Sequence, residues 1–121
     1  MILVTSNKSK QLLHVSYVGQ VRAKELEELQ KDLKVELGGL SPGFRVLMDL
    51  SSLESMELEC VPWLGRAMEL IDQAGVDLIA RVIPDPHKDI GFNILTIFHY
   101  ARRPQTATCK NVVEACRTLG L

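Results

Sequence analysis

Apolar and polar positions change period several times along the chain, and each change marks a new element. Ile2, Leu3 and Val4 form a short apolar run, and residues 6–10 are polar and turn-like. Leu13, Val15 and Tyr17 then alternate with His14 and Ser16, the period-2 signature of a strand. Together the two segments predict a hairpin that ends near Gly19. Beyond it the spacing becomes helical. Leu26, Leu29, Leu33 and Leu37 share one face, and Glu25, Glu27, Glu28, Lys31, Asp32 and Lys34 surround the other, which predicts an amphipathic helix with a solvated charged face. Glu27 and Lys31 form an i,i+4 pair in the favourable order. Gly38-Gly39 is expected to stop the helix by entering the left-handed conformation.

The segment 44–48 is apolar on both faces, as in a strand inside a covered sheet. A loop through Ser51, Ser52 and Ser55 leads to a second helix, in which Leu64, Ala67, Met68 and Ile71 recur at helical spacing. Pro62 is tolerated near its start and Gly75 closes it. Residues 78–83 predict another strand. Asp85-Pro86 supplies an N-cap and a first-turn proline for a helix reaching residue 100. A short strand at 105–109 and a closing helix at 111–119 complete the chain. Strands separated by helices imply parallel βαβ units with right-handed crossovers, and the hairpin makes the sheet mixed. The expected fold is α/β, a mixed sheet of about four or five strands with about four helices mainly on one face, as a single domain over residues 1–121.

Composition narrows the function. Of the 121 residues, 46% are hydrophobic and 24% charged, which excludes a disordered, collagen-like or disulfide-stapled chain. The 14 Lys+Arg and 15 Asp+Glu leave a net charge of −1. No basic field is therefore available for nucleic acid or anionic lipid, and 5% aromatics make stacking platforms for single strands unexpected. Cys60, Cys109 and Cys116 are scattered without a C-x-x-C, so they predict buried thiols in a reducing cytoplasm rather than zinc ligands or disulfides. The opening Met1-Ile2-Leu3-Val4-Thr5 turns polar too soon for a signal peptide or a membrane span. A cytoplasmic protein with no nucleic-acid partner and no membrane insertion is expected.

Catalytic motifs are absent: no dinucleotide-binding glycine fingerprint, phosphate-binding P-loop, nucleophile elbow or H-E-x-x-H. Gly38, Gly39 and Gly43 around Ser41-Pro42 read as a turn, since no Lys-Ser/Thr follows to hold a phosphate. His14, His87 and His99 fall in three different elements, His87 and Asp89 point apart on a helix start, and no serine or cysteine pairs with a histidine by spacing. No catalytic residue, metal or cofactor is expected. Glu54, Glu57 and Glu59 are more informative. Glu57 and Glu59 precede or open the second helix, where free N–H groups and the positive dipole end favour anions by ~0.3–1 kcal/mol each.

The block Val46-Leu47-Met48-Asp49-Leu50-Ser51-Ser52-Leu53-Glu54-Ser55-Met56-Glu57, with the order of elements around it, resembles the STAS domain of anti-sigma-factor antagonists, stressosome subunits and sulfate-transporter tails. Members of that family carry an apolar strand ending in Asp-Leu-Ser, an apolar pair and then an acidic residue at this spacing. In regulated members two hydroxyl residues and a glycine follow, and the second hydroxyl accepts a phosphate from a partner kinase. Here those positions read Leu58-Glu59-Cys60. The resemblance thus places Glu59 at the phosphoacceptor position, where it cannot be phosphorylated, and a cysteine where the glycine gave backbone freedom at the helix entrance. Ser51, Ser52 and Ser55 do not occupy that position.

The resemblance implies a non-enzymatic, bacterial signal-transduction module that binds an anti-sigma factor or kinase-like regulator through Glu57, Leu58, Glu59 and Cys60, without its own phosphorylation switch. The alternative it leaves open is a carrier of a small ligand, lipid or nucleotide. A second surface is expected at 85–103. Ile90, Ile94, Ile97 and Ala101 make one apolar stripe, and Phe92, Leu95 and Phe98 widen it beyond a single face. Those side chains either belong to a deeply seated helix or form a homodimer or partner patch rimmed by Lys88, Arg102 and Arg103.

Overall fold

The computed structural model describes residues 1–83 and 105–121. The expected helix at 85–100, with Phe92, Leu95 and Phe98, lies outside the described residues.

The predicted hairpin forms from β1 (Ile2–Asn7) and β2 (Leu12–Tyr17), paired antiparallel. β4 (Arg45–Asp49), β6 (Leu78–Val82) and β7 (Gln105–Cys109) add to β2 in parallel, giving a mixed five-stranded sheet in the order β1-β2-β4-β6-β7. Two short strands, β3 (Gly19–Val21) and β5 (Leu53–Met56), pair in parallel as a separate two-stranded sheet. Neither is predicted by the hydrophobic pattern, in which Ser55 falls in a loop. They are too short to show a period, and their register slips between Gly19 and Gln20.

Among the described residues there are three helices: α1 (Ala23–Leu37), α2 (Cys60–Gln73) and α3 (Val112–Thr118). Leu26, Leu29 and Leu33 of α1 and Leu64, Ala67, Met68 and Ile71 of α2 bury against Leu13, Val15, Tyr17, Val46, Met48 and Ile79 on one face of the sheet. On the opposite face Ala115 and Leu119 cover Leu47, Ala80, Val82 and Cys109. The apolar run in β4 thus faces helices on both sides. The Arg45 guanidinium binds the carbonyls of Lys10, at 2.7 Å, and Leu119, tying the hairpin turn to the end of α3. Two charged residues are buried among the described residues, Asp72 and Arg81, and Arg81 Nη2 donates to Thr108 Oγ1 of the adjacent strand at 3.2 Å.

Helix ends follow two mechanisms. α1 stops at Gly38-Gly39 as expected, but not by a left-handed turn: Gly38 has φ −61° and continues the right-handed geometry. The left-handed residue expected after α2 is present, with Gly75 at φ +91°. A Cβ there would also lie 3.0 Å from Cβ and 3.1 Å from Cα of Pro42, so space and conformation both demand glycine. Gly75→Ala should therefore destabilise the fold by at least about 1 kcal/mol, read as a lower midpoint in urea unfolding with an unchanged slope.

Candidate protein-interaction surface

The surface is built where β4 hands over to β5 and α2. Asp49 Oδ1 accepts hydrogen bonds from the backbone N–H of Ser51, at 3.0 Å, and its hydroxyl, at 2.6 Å. This side-chain turn redirects the chain at the end of the strand and gives the Asp-Leu-Ser segment a structural use. Gly19 N–H then donates to Ser52 O at 2.8 Å, locking β3 beside the start of β5.

Glu57 joins two junctions. Its N–H donates to Val21 O at 3.3 Å, and its Oε1 accepts from the N–H of Ala23, the first residue of α1, at 3.1 Å. The carboxylate therefore caps α1, where the sequence reading had assigned it to the dipole of its own helix. Glu25 satisfies a further donor at the same end: its Oε2 accepts from Arg22 N–H at 2.9 Å, and its Oε1 lies 2.9 Å from the amino group of Met1. The Arg22 amide first, and the amino group second, hold the Glu25 carboxyl below the usual carboxylate range.

α2 opens with Cys60 N–H bonded to Glu57 O at 3.0 Å and Val61 N–H to Leu58 O at 3.1 Å. Glu59 is the N-cap, exposed, with no side-chain capping bond. Leu58 is 81% exposed, a high value for a leucine, and Val61 and Pro62 beside it are exposed as well. Glu57, Leu58 and Glu59 are thus brought together on one surface. Cys60 is not part of it. Its side chain is fully buried with Sγ 3.6 Å from Val21 O, and burial, followed by the nearby Glu57 charge, pushes the thiol pKa up. The expected loss of backbone freedom at this cysteine also does not arise, because residue 60 is helical. Phe92 and Leu95 lie outside the described residues.

Two features escaped the sequence reading. His14 and Ser16, two apart on a strand, share a face, and Ser16 Oγ lies 3.2 Å from His14 Nε2. Sequence spacing does not exclude a Ser–His pair there, because strand periodicity brings i and i+2 together. Among the described residues no carboxylate bonds to the other ring nitrogen, so the pair lacks an orienting acid. The second is a groove of about 320 Å³ between α1 and α2, whose lining includes Gln30, Lys34, Trp63, Arg66, Glu69 and Gln73. Arg66 stacks 4.6 Å above the Trp63 ring, and Gln30 Nε2 bridges the Leu26 and Trp63 carbonyls at 3.0 and 3.1 Å. No group of three metal-ligating side chains occurs among the described residues, and no described helix is long and apolar enough to cross a membrane.

No family model matches the sequence, and no curated protein matches it either. Solved structures do. An uncharacterised DUF3478-family protein with a SpoIIAA-like fold, from Shewanella loihica PV-4, superposes with a TM-score of 0.72 at 14% identity, over 98% of this chain and 92% of its own. The anti-sigma factor antagonist SpoIIAA in its unphosphorylated form gives 0.60 at 15% identity over 100% of both chains. The fold is SpoIIAA-like. The phosphorylated form of the Bacillus cell fate determinant SpoIIAA gives 0.61 at 11% identity, over 98% of this chain and 99% of its own. Murine Solute Carrier 26 family member A9, an anion transporter, contains the same fold within a larger chain, with a TM-score of 0.59 at 10% identity over 92% of this chain and 18% of its own. The SpoIIAA-like architecture explains why so short a block as 46–57 carried the resemblance: it spans β4, the Asp49 turn and β5, which set the entrance to α2.

The Glu25 carboxylate generates a pH-dependent prediction. Its folded-state pKa is depressed, so its stabilisation is complete above the ordinary carboxylate pKa and is lost as pH falls through the folded value. Glu25→Gln should destabilise the protein by about 0.5–1 kcal/mol at neutral pH. Chemical denaturation of wild type and variant at a series of pH values should show the difference shrinking as the solution is acidified.

Proposed function

We propose that this chain is a non-enzymatic, cytoplasmic protein-interaction module whose regulatory partner docks on Glu57, Leu58 and Glu59. The observation that carries this reading is Leu58, an 81% exposed leucine at a helix entrance held by hydrogen bonds from two neighbouring junctions. An apolar side chain on a hydrogen-bonded stretch of backbone, between exposed carboxylates, offers an anchor with a polar rim, the usual anatomy of a binding spot. The partner class is the anti-sigma factor or kinase-like regulator implied by the resemblance, within a bacterial signalling assembly.

Glu59 bears on regulation. In the resemblance it stands where regulated members carry the phosphate acceptor, and a carboxylate cannot be phosphorylated. It carries one charge where phosphoserine carries about −1.5 to −2, so the site would have a fixed, partial negative charge in place of a switch. The lipid or nucleotide carrier is less well supported. In the α1–α2 groove the Trp63 ring, the one aromatic among its described lining residues, is already covered by Arg66, which disfavours a stacked base there.

Leu58→Glu and Glu59→Lys should each abolish capture of the partner from native extract, while Val113→Glu, at an exposed site on α3, should leave it intact. Thermal melts of these surface variants should stay within about 0.5 kcal/mol of wild type. Quantitative mass spectrometry of cross-linked complexes is the readout. A partner retained by both α2-entrance variants would remove the basis for this surface.

A further inference from the structure

β1 is an outer strand of the five-stranded sheet, at the edge opposite β7, and its outward backbone groups can be assigned. Met1 and Val18 exchange both main-chain bonds, each at 2.8 Å. In an antiparallel ladder such pairs alternate with non-bonded ones, and the register sets Leu3 against Ser16, Thr5 against His14 and Asn7 against Leu12. Those residues bond inward, so Ile2, Val4 and Ser6 hold their N–H and C=O groups away from β2. Natural edge strands are blunted by lysine, proline or a bulge. Ile2–Asn7 has none of these.

Grooves of about 360 and 150 Å³ run between this edge and α1. Leu3 is 51% and Val35 75% exposed beside the larger one. The α1 side chains that line the grooves differ in charge from side to side. Glu25, Glu28, Asp32 and Glu36 line the grooves beside β1, whereas Gln30 and Lys34 line the groove toward α2. Glu25 is engaged by the Met1 amino group and Glu36 by the Ser6 hydroxyl, while Glu28 and Asp32 are exposed. Among the groove-lining residues that amino group is the one cation.

We propose that β1 accepts an extended segment of a partner protein as an added strand, with Lys or Arg at positions facing α1 and apolar side chains at the alternate positions beside Leu3. The outward N–H and C=O groups of Ile2, Val4 and Ser6 supply the ladder, as in other strand-addition complexes. Basic side chains lay their stems along Ile2, Val4 and Val35 and bring their charged ends to Glu28 and Asp32. A second copy of this chain fits less well, because antiparallel pairing of two β1 strands would bring the two acidic α1 flanks together. The residues that carry this proposal, Ile2–Ser6 with Glu28 and Asp32, are distinct from Glu57–Glu59.

The probe is a synthetic peptide of about ten residues alternating Lys and Val, long enough for one strand, followed by amide NMR and hydrogen exchange at low salt. Binding should shift and protect the amides of Ile2, Val4 and Ser6. The double variant Glu28→Lys/Asp32→Lys should bind about tenfold more weakly or worse, and Val4→Pro, which removes an outward donor but no β1–β2 bond, should lose the protection. If Val4→Pro fails to fold by circular dichroism, the charge-reversal variant decides. Leu58→Glu should bind the peptide as wild type does, so this result stands or falls apart from the proposed partner surface. Equal binding to the charge-reversed protein, equal binding of an alternating Glu–Val peptide, or shifts confined to other elements would overturn the proposal. So would protection of β1 that grows with protein concentration without peptide, which assigns the edge to a second copy.

Discussion

The Val21–Ala23 junction, and its bonds to Glu57, is what the rest of the structure is arranged around. Val21 O accepts from Glu57 N–H and lies within reach of the buried Cys60 thiol, while the Glu57 carboxylate returns to Ala23 N–H. Each bond is modest singly, about 1 kcal/mol net and more where the carboxylate takes part. Together they fix the start of α1 to the start of α2. Because α1 and α2 share one core with the sheet, that fixes which face of each helix looks inward and leaves Leu58 and Glu59 outside.

The two faces of the sheet are used unequally. One carries the large cluster beneath α1 and α2, the other the smaller cluster beneath α3. α3 packs against β4, β6 and β7, so among the described residues no helix covers the hairpin side of that face, which holds Leu3, Thr5 and the His14–Ser16 pair. β1 is therefore shielded on its inner face by α1, while Leu3, Thr5 and Asn7 on its far face are exposed. The carboxylates of α1 that line the grooves beside β1 give that edge its chemical character, and Lys34 belongs to a different groove.

The division between what was legible in the sequence and what was not follows from the range over which each force acts. The hairpin, the long amphipathic helix, the helix after residue 59, the strand at 78 and the closing helix were readable from hydrophobic period alone, because burial repeats locally and leaves its mark on every few residues. The exposed glutamates at the α2 entrance were readable through the family block. The sequence by itself thus determined the fold class and the position along the chain of the candidate surface. Only the tertiary structure decided how that surface is made. Short β3 and β5 have no periodic signal and exist because they find each other across more than thirty residues of chain, Gly19 beside Leu53. Glu57 caps α1 and not α2, Cys60 turns inward, and the carboxylates of α1 gather along an edge strand, because each outcome depends on a partner brought close by packing. Local pattern specifies which faces must be buried, and long-range pairing specifies against what.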